Sequence, residues 1–190
     1  SELDSVDLVA LSDIDEENCK LLSKKYNVPW YTDFKKLLDE EKIDAVSVVT
    51  PTSTHFDVAS YFIRRKIHVL IEKPISDSIK ESVSLINLAR DNEVKLMIGH
   101  IERFNPAIVE LKRRIKDGQL GQIYKMDINR IGPYPKRVND VGVVIDLAVH
   151  DIDISRFILE SEPQRIYSEL SYKMKKKHED LVSAMIRFEN

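Results

Sequence analysis

Short apolar runs alternate with helix-like segments through the first hundred residues, and this alternation constrains the fold more than any other feature. The apolar runs are VDLVALSD (6–13), AVSVVTPT (45–52), HVLIEKP (68–74) and VKLMIGH (94–100). They are apolar on both faces, as the buried strands of a parallel sheet are. The helix-like segments lie near 15–26, 34–41, 54–66 and 78–92, and the third has Thr54 and Asp57 at capping-box spacing. The alternation predicts an α/β domain with a parallel sheet.

The pattern changes after Gly99. Residues 105–117 predict a helix that ends at Gly118. The segment QIYKMDINRI (122–131) then alternates apolar and polar residues, which is typical of a half-buried strand in an antiparallel sheet. A similar alternation occurs at 165–172 and 181–188. We therefore expect a partial dinucleotide-binding domain over 1–120 and the start of a second, α+β domain over 121–190.

Composition excludes several classes of protein. Apolar residues make up 43% and charged residues 32% of the chain, with a net charge of -3, as expected for a soluble globular protein. The charges are mixed, with no basic stripe for nucleic acid, and the apolar runs are too short to span a membrane. Cys19 is the single cysteine, so no intrachain disulfide can form, and a reducing compartment such as the cytoplasm fits.

Asp13 stands where a dinucleotide-binding domain places its acidic residue, at the end of a strand. Such a domain has a glycine-rich turn after its first strand, about 20 residues before that acid. Only twelve residues precede Asp13 here, and none is glycine. We expect the first strand and its turn to lie before Ser1, which would split the sheet at its centre. A different α/β fold with no glycine-rich turn is the alternative.

The segment VVIDLAVHDIDISRFIL (143–159) is the strongest sign of chemistry. It predicts a buried helix on which Asp146, His150 and Asp153 share one narrow face. Titratable groups on a buried helix are costly unless they are paired or used. In the functional interpretation, Asp146 orients His150, and His150 exchanges a proton with a reacting hydroxyl. In the alternative, the segment holds a helix cap and a hydrogen-bonded core histidine.

Polar residues also follow two of the predicted strands, where ligands of parallel sheets bind. In VLIEKP (69–74) the strand runs into Glu72-Lys73-Pro74, and the Lys73 ammonium could stabilise negative charge on a substrate oxygen. In TPTSTH (50–55), hydroxyls and backbone N–H groups could contact a cofactor phosphate or ribose. A surface lysine and an ordinary turn with an N-cap are the alternatives. The residues expected to contact cofactor are Asp13, Thr50, Pro51, Thr52, His55, Glu72, Lys73 and Pro74.

A looser set of basic residues could clamp a diphosphate, since Arg and Lys both bind phosphate oxygens. The set is Arg103, Arg130, Lys136 and Arg137, with Tyr134 among them. From it we name Arg103, Tyr134 and Arg137 as candidate substrate residues. Basic residues of this kind are more often part of a solvated surface.

Together these segments resemble the glucose–fructose oxidoreductase, inositol dehydrogenase and MocA (Gfo/Idh/MocA) family. The matching pieces are the strand ending at Asp13, TPTSTH, Glu72-Lys73-Pro74, GHIERFNP (99–106) and the Asp146–His150 helix. The resemblance implies a Rossmann domain, a second domain with an open antiparallel sheet, and oxidation or reduction of sugars and polyols with NAD or NADP. It implies catalytic roles for Lys73, Asp146 and His150. Val141-Gly142 stands where the family has two glycines, and the glycine-rich turn is absent.

The segment GPYPKRVNDVGVVIDLAVHDID (132–153) is similar to the branch that oxidises the 3-hydroxyl of UDP-N-acetylglucosamine. In the implied reaction, hydride passes from a sugar carbon to nicotinamide while His150 removes the hydroxyl proton and Lys73 stabilises the forming carbonyl oxygen. Two rivals stay open: a regulatory relative that binds dinucleotide without turnover, and a reductase of biliverdin or a cyclic polyol.

Two expectations follow for cofactor and partners. The cofactor is NAD rather than NADP, because Asp13 and Asp15 would repel a 2′-phosphate on the ribose. We expect a homodimer or homotetramer, because residues such as Tyr167 and Met185 on the predicted antiparallel strands could form a contact. No metal is expected at the site.

Overall fold

The computed structural model of the protein describes residues 4–132, 141–174 and 177–189. The chain divides into two compact units. The first comprises Ser1–Ile71 and Ile75–Met97, and the second comprises Glu72–Pro74 and Ile98–Asn190. Lys73 therefore belongs to the same unit as Asp146 and His150. The predicted division into domains near residue 121 stays a prediction.

The first unit alternates strands and helices, as the sequence predicts. In chain order its elements are β1 (Leu11–Ser12), α1 (Glu16–Tyr26), β2 (Trp30–Tyr31), α2 (Phe34–Glu40), β3 (Ala45–Val48), a 3₁₀ turn (Thr52–Thr54), α3 (His55–Ile63), β4 (His68–Ile71), α4 (Ile79–Asp91) and β5 (Leu96–Ile98), of which the last residue, Ile98, is the first of the second unit's longer segment. The core contains Phe62, Ile63, Ile71 and Leu85, each at most 1% exposed. The α/β class is confirmed, and the strands are shorter than the apolar runs.

The parallel strands form two separate sheets among the described residues. One pairs β1 with β2, and the other has the order β3-β4-β5. Val49, the residue after β3, is 71% exposed. The described residues thus form two parallel sheets where a doubly wound fold has one continuous sheet.

Side chains set the beginnings of three helices in the first unit. Asp15 accepts hydrogen bonds from the N–H groups of Glu17 and Asn18, and Asp33 and Ser78 cap α2 and α4 in the same way. The predicted capping role of Thr54 is wrong. Its Oγ1 lies 2.8 Å from both Thr50 Oγ1 and the Pro51 carbonyl oxygen, and it makes no capping hydrogen bond to an amide of α3.

The second unit combines helices with an antiparallel hairpin. Its elements are a 3₁₀ turn (Ile101–Phe104), α5 (Pro106–Lys116), a π-helical segment (Val144–Ala148), α6 (Val149–Leu159), β6 (Pro163–Ser171) and β7 (Leu181–Phe188). The hairpin pairs Tyr167 with Met185, and these side chains are 66% and 76% exposed. The predicted hairpin strands are confirmed. Self-association through this surface stays a prediction.

The predicted strand over 122–131 is wrong. The described part of this segment has no regular secondary structure, and Tyr124 is 87% exposed. A strand needs a neighbour for its N–H and C=O groups, and no described segment pairs with this one.

Across the described ranges, no helix is long and apolar enough to cross a membrane.

Candidate active site

Lys73 is the second residue after β4, and its ammonium is held by Asp146. Lys73 Nζ donates to the main-chain oxygen of Asp146 at 2.7 Å and lies 3.2 Å from its Oδ1. The side chains of the pair are 17% and 19% exposed. Both groups are therefore largely shielded from water yet still reachable. Two acceptors on one residue fix the ammonium in place, which suits an oxyanion-stabilising cation.

His150 lies in the first turn of α6, and its side chain is half-buried. Nδ1 is buried and has no hydrogen-bond partner in the described part of the chain. Burial, followed by the positive charges of Lys73 and Arg130, lowers the pKa of His150 below its usual value. The neutral imidazole is therefore favoured near neutral pH, and a neutral imidazole can act as a general base.

The expected contact of Asp146 with His150 is replaced by the contact with Lys73. Within the residues described, no hydrogen bond joins Asp146 to His150. Asp146 lies in the π-helical segment, where the Val149 N–H reaches back to the Val144 carbonyl. A π turn contains an additional residue, so side chains four positions apart no longer stack as they do on an α-helix. The catalytic roles of all three residues stay proposals.

Asp153, expected on the same face, has a structural partner. Its side chain is 5% exposed, and it accepts hydrogen bonds from Arg103 Nε at 2.8 Å and Nη2 at 2.6 Å. His100 Nδ1 lies 3.7 Å away. Burial opposes ionisation of Asp153, but the Arg103 hydrogen bonds and the nearby positive charges outweigh it and lower the pKa. Asp146, His150 and Asp153 therefore do not form one functional group along the helix.

Among the candidate substrate residues, Arg103 is engaged by Asp153, while Tyr134 and Arg137 lie outside the described residues, as does Lys136. Arg130 is also paired: its Nε and Nη2 donate to Asp151 Oδ1 at 3.0 and 2.8 Å. The substrate role of Arg103 stays a prediction that competes with the Arg103–Asp153 ion pair.

Glu72 and Pro74 flank the lysine in the second unit. The Glu72 carboxylate accepts a hydrogen bond from the Lys73 N–H at 3.1 Å, and the Lys73–Pro74 peptide is cis. A Cβ placed on Gly99 would come within 3.2 Å of the Glu72 carboxyl group. Gly99 therefore leaves room for Glu72, a contact the sequence patterns did not indicate.

Sequence reasoning also missed Glu179. Its carboxylate accepts a hydrogen bond from the Val144 N–H at 3.1 Å, although the two residues are 35 positions apart. A Cβ on Gly142 would collide with this carboxyl group. The one hint in the sequence was Gly142 itself, which stands in the glycine pair that precedes the helix in the resembling family.

In the first unit, Asp13 follows β1 and is exposed. Its N–H donates to the Tyr31 carbonyl at 3.1 Å, which fixes the residue at the strand end, and its Oδ1 accepts from the Asp15 N–H at 3.0 Å. The carboxylate keeps acceptor capacity, because each carboxylate oxygen can accept more than one hydrogen bond. Asp13 therefore fits a ribose hydroxyl.

The loop after β3 places Thr50, Pro51 and Thr52 at the surface, with Thr50 and Pro51 exposed. His55 differs from its neighbours in being only 1% exposed. Its Nε2 lies 2.8 Å from the Thr50 carbonyl. His55 therefore contacts the loop through the Thr50 carbonyl, and its contact with cofactor stays a prediction.

Two family descriptions match the chain. "Oxidoreductase family, NAD-binding Rossmann fold" matches residues 1–100, and "GFO/IDH/MocA C-terminal domain" matches residues 108–190. Together they cover nearly the whole chain. The first confirms NAD as the cofactor of the domain type predicted from the sequence.

Curated relatives are similar over part of their length. A UDP-N-acetylglucosamine 3-dehydrogenase of Acidithiobacillus ferrooxidans is 38% identical over 122 residues, which are 64% of this chain and 38% of that protein. A scyllo-inositol 2-dehydrogenase (NAD(+)) of Bacillus subtilis is 34% identical over 137 residues, 70% of this chain and 40% of that protein. The matched regions thus span less than half of these relatives.

Solved structures give the same result for the fold. The structure of the A. ferrooxidans UDP-N-acetylglucosamine 3-dehydrogenase superposes with a TM-score of 0.84 at 30% identity, covering 96% of this chain and 58% of that one. A scyllo-inositol dehydrogenase from Lactobacillus casei, with bound NAD(H) and scyllo-inositol, gives 0.85 at 20% identity, covering 100% and 60%. The second likeness shows the fold alone.

Proposed function

The chain belongs to the Gfo/Idh/MocA oxidoreductase family, and on that premise we propose that the protein is an NAD-dependent dehydrogenase of a sugar or nucleotide-sugar hydroxyl. The observation that carries the proposal is the placement of Lys73, Asp146 and His150 in one compact unit. Dinucleotide binding alone needs neither a tethered ammonium nor a half-buried imidazole whose pKa is lowered. The two together favour an enzyme over a regulatory relative.

His150 is the proton acceptor in this proposal. Its lowered pKa keeps the ring neutral at neutral pH, so that it can remove the proton from a substrate hydroxyl as the carbon is oxidised. NAD, when bound, supplies the acceptor for the hydride that leaves the carbon.

Lys73 stabilises the charge that develops on the substrate oxygen. An ammonium can donate three hydrogen bonds, and the structure uses two acceptors of Asp146 to hold it. The third direction can point to an oxygen that gains negative charge. Asp146 is therefore assigned to holding Lys73, instead of the expected role of orienting His150. Lys73 also lowers the pKa of His150, which couples the two groups electrostatically.

The residues present fit part of an NAD site. Asp13 can accept hydrogen bonds from the ribose hydroxyls, and Asp15 adds negative charge close to it. A 2′-phosphate would be repelled there, which favours NAD over NADP. The pyrophosphate needs backbone N–H groups of a glycine-rich turn, and the residues before β1 contain no glycine.

For the substrate we propose the 3-hydroxyl of UDP-N-acetylglucosamine. This rests on the 38% identical relative of that name and on the similarity of residues 132–153 to that branch. Inositols are the alternative outcome, since an inositol dehydrogenase is 34% identical.

The test is product analysis with the full-length protein. It is incubated with NAD and either UDP-N-acetylglucosamine, UDP-glucose, myo-inositol or scyllo-inositol, and products are identified by mass spectrometry. We expect reduced cofactor and a sugar that has lost two hydrogen atoms only with UDP-N-acetylglucosamine. Turnover of an inositol instead would overturn the substrate. Tight NAD binding with no turnover of any of the four would support the regulatory alternative.

A further inference from the structure

Glu179 holds the beginning of the helix that carries Asp146 and His150. Its main-chain oxygen accepts from the Val143 N–H at 2.9 Å, and its Oε1 accepts from the Val144 N–H at 3.1 Å. These amides lie at the start of a helix, where N–H groups have no partner within the helix. A carboxylate at that end also interacts favourably with the helix dipole. Glu179 lies just before β7, so the hairpin supplies the cap.

Gly142 is the residue that makes this contact possible. A Cβ on Gly142 would overlap the Glu179 carboxyl group, so that any larger residue would have to displace it. The Gly142 carbonyl in turn accepts from the Asp146 N–H at 3.0 Å. The same short stretch of chain therefore contacts both Glu179 and Asp146.

The π turn makes the position of Asp146 depend on where the helix begins. The Val149 N–H bonds to the Val144 carbonyl five residues back, and Asp146 lies within this wider turn. Its carbonyl is turned to Lys73 Nζ at 2.7 Å. A shift of the first turn to ordinary α-helical spacing would move both the carbonyl and the carboxylate that hold Lys73.

We infer that Glu179 is a positioning residue: by fixing the Val143 and Val144 amides it holds the π turn that places Asp146 against Lys73. The inference rests on the proposed function of Lys73. Glu179 need not touch substrate or cofactor. Its effect reaches the reaction through the ammonium, whose placement within a fraction of an ångström determines how well it stabilises a developing charge.

The kinetic test uses Glu179→Ala, Glu179→Gln and, as matched control in the same hairpin, Glu169→Ala, in the full-length protein with the substrate that it turns over. We expect Glu179→Ala to lower kcat about tenfold or more, with the Kd for NAD unchanged. Glu179→Gln should keep most of the wild-type kcat, because its amide oxygen can still accept a hydrogen bond from the Val144 N–H. Glu169→Ala should keep wild-type kcat, since this exposed carboxylate contacts the Tyr167 hydroxyl and not the helix. A lower Tm with unchanged kcat in Glu179→Ala would reduce Glu179 to an ordinary helix cap and overturn the inference.

Two double variants test the route of the effect. Gly142→Ala should impair kcat in the wild-type background but add little to Glu179→Ala, where no carboxyl group meets the new Cβ. Glu179→Ala should likewise add little to Lys73→Met, if it acts through the lysine. If the fold-losses in kcat of the two single variants multiply in full in both double variants, the inference is contradicted.

A readout independent of turnover separates this inference from the proposed function. Acetylation of Lys73 by an amine-reactive reagent is followed by mass spectrometry, with the exposed Lys80 as internal reference. Lys73 should react several-fold faster in Glu179→Ala than in wild type, and at the wild-type rate in Glu179→Gln, because release from Asp146 exposes the amine. If no sugar is turned over, the proposed function fails while this measurement still decides the positioning role. Equal Lys73 reactivity in wild type and Glu179→Ala would overturn it.

Discussion

The Arg103–Asp153 ion pair gives the most quantitative prediction for stability. Replacing Arg103 by Met keeps an aliphatic side chain of similar length but leaves the Asp153 carboxylate, 5% exposed, without its two shortest hydrogen bonds. Breaking a fully buried pair costs about 3–5 kcal/mol. Arg103 is itself 38% exposed, so water can replace part of the lost interaction. We therefore expect Arg103→Met to lower the free energy of unfolding by about 2–3 kcal/mol at neutral pH.

The pH dependence of that loss follows from the pKa of Asp153. In wild type the folded-state pKa is below the unfolded value, because the Arg103 hydrogen bonds and nearby charges outweigh burial. The pair thus stabilises the fold above the unfolded pKa of about 3.9, and this contribution is lost as the pH falls through the folded pKa. In the variant, burial is opposed only by the remaining charges of His100 and Arg156, so the pKa of Asp153 is higher than in wild type and protonation relieves part of the cost. The deficit of Arg103→Met should shrink between about pH 7 and about pH 4.

Urea denaturation of wild type, Arg103→Met and the control Arg114→Met at several pH values measures this. Arg114 pairs with Glu110 at the surface, with side chains 54% and 44% exposed, so its replacement should cost under about 1 kcal/mol. Equal losses in the two variants, or a deficit that does not depend on pH, would refute the reasoning. A rise in the KM for sugar without loss of stability in Arg103→Met would instead favour the substrate role expected from the sequence.

Two further predictions concern the choice between NADH and NADPH and the acid limb of the pH dependence of kcat. NADH should bind the full-length protein about a hundredfold more tightly than NADPH, because Asp13 and Asp15 repel a 2′-phosphate, and equal or tighter NADPH binding in a fluorescence titration would contradict this. The acid limb of the kcat profile should lie below the usual histidine pKa of about 6.5, since burial and Lys73 lower the pKa of His150. Lys73→Met should move that limb to higher pH, because it removes one of the positive charges that lower the pKa of His150. A wild-type limb above about pH 6.5 would count against His150 as the base.

Helices were predictable from the sequence because their signals are local. The structure gives Glu16–Tyr26, Ile79–Asp91 and Pro106–Lys116, each within one residue of the predicted bounds at both ends. Apolar periodicity and a side chain such as Asp15 or Ser78 at the first turn lie within a few residues of each other. The parallel strands were found for the same reason, since buried strands are continuous apolar runs.

Pairings between distant residues were not predictable in the same way. The alternation at 122–131 looked like a strand, but a strand exists only where another strand accepts its hydrogen bonds, and a single sequence does not show the partner. The contact of Lys73 with Asp146 joins residues 73 positions apart. It depends on a π turn, and the apolar period of 143–159 contains no sign of one. The sequence thus led us to expect a contact of Asp146 with His150, whereas Asp146 contacts Lys73 in the structure. The roles of these residues stay predictions.

The central claim is that Lys73 and His150 act on the same substrate oxygen, and one set of variants tests it most directly. Turnover, NAD affinity and Tm are measured on full-length Lys73→Met, His150→Ala and the double variant. We expect kcat to fall by about a hundredfold to a thousandfold for Lys73→Met and by about a hundredfold to ten-thousandfold for His150→Ala. The double variant should lose much less than the product of the two, with NAD affinity nearly unchanged. Full activity in a folded His150→Ala protein, with only its Tm lowered, would contradict the account.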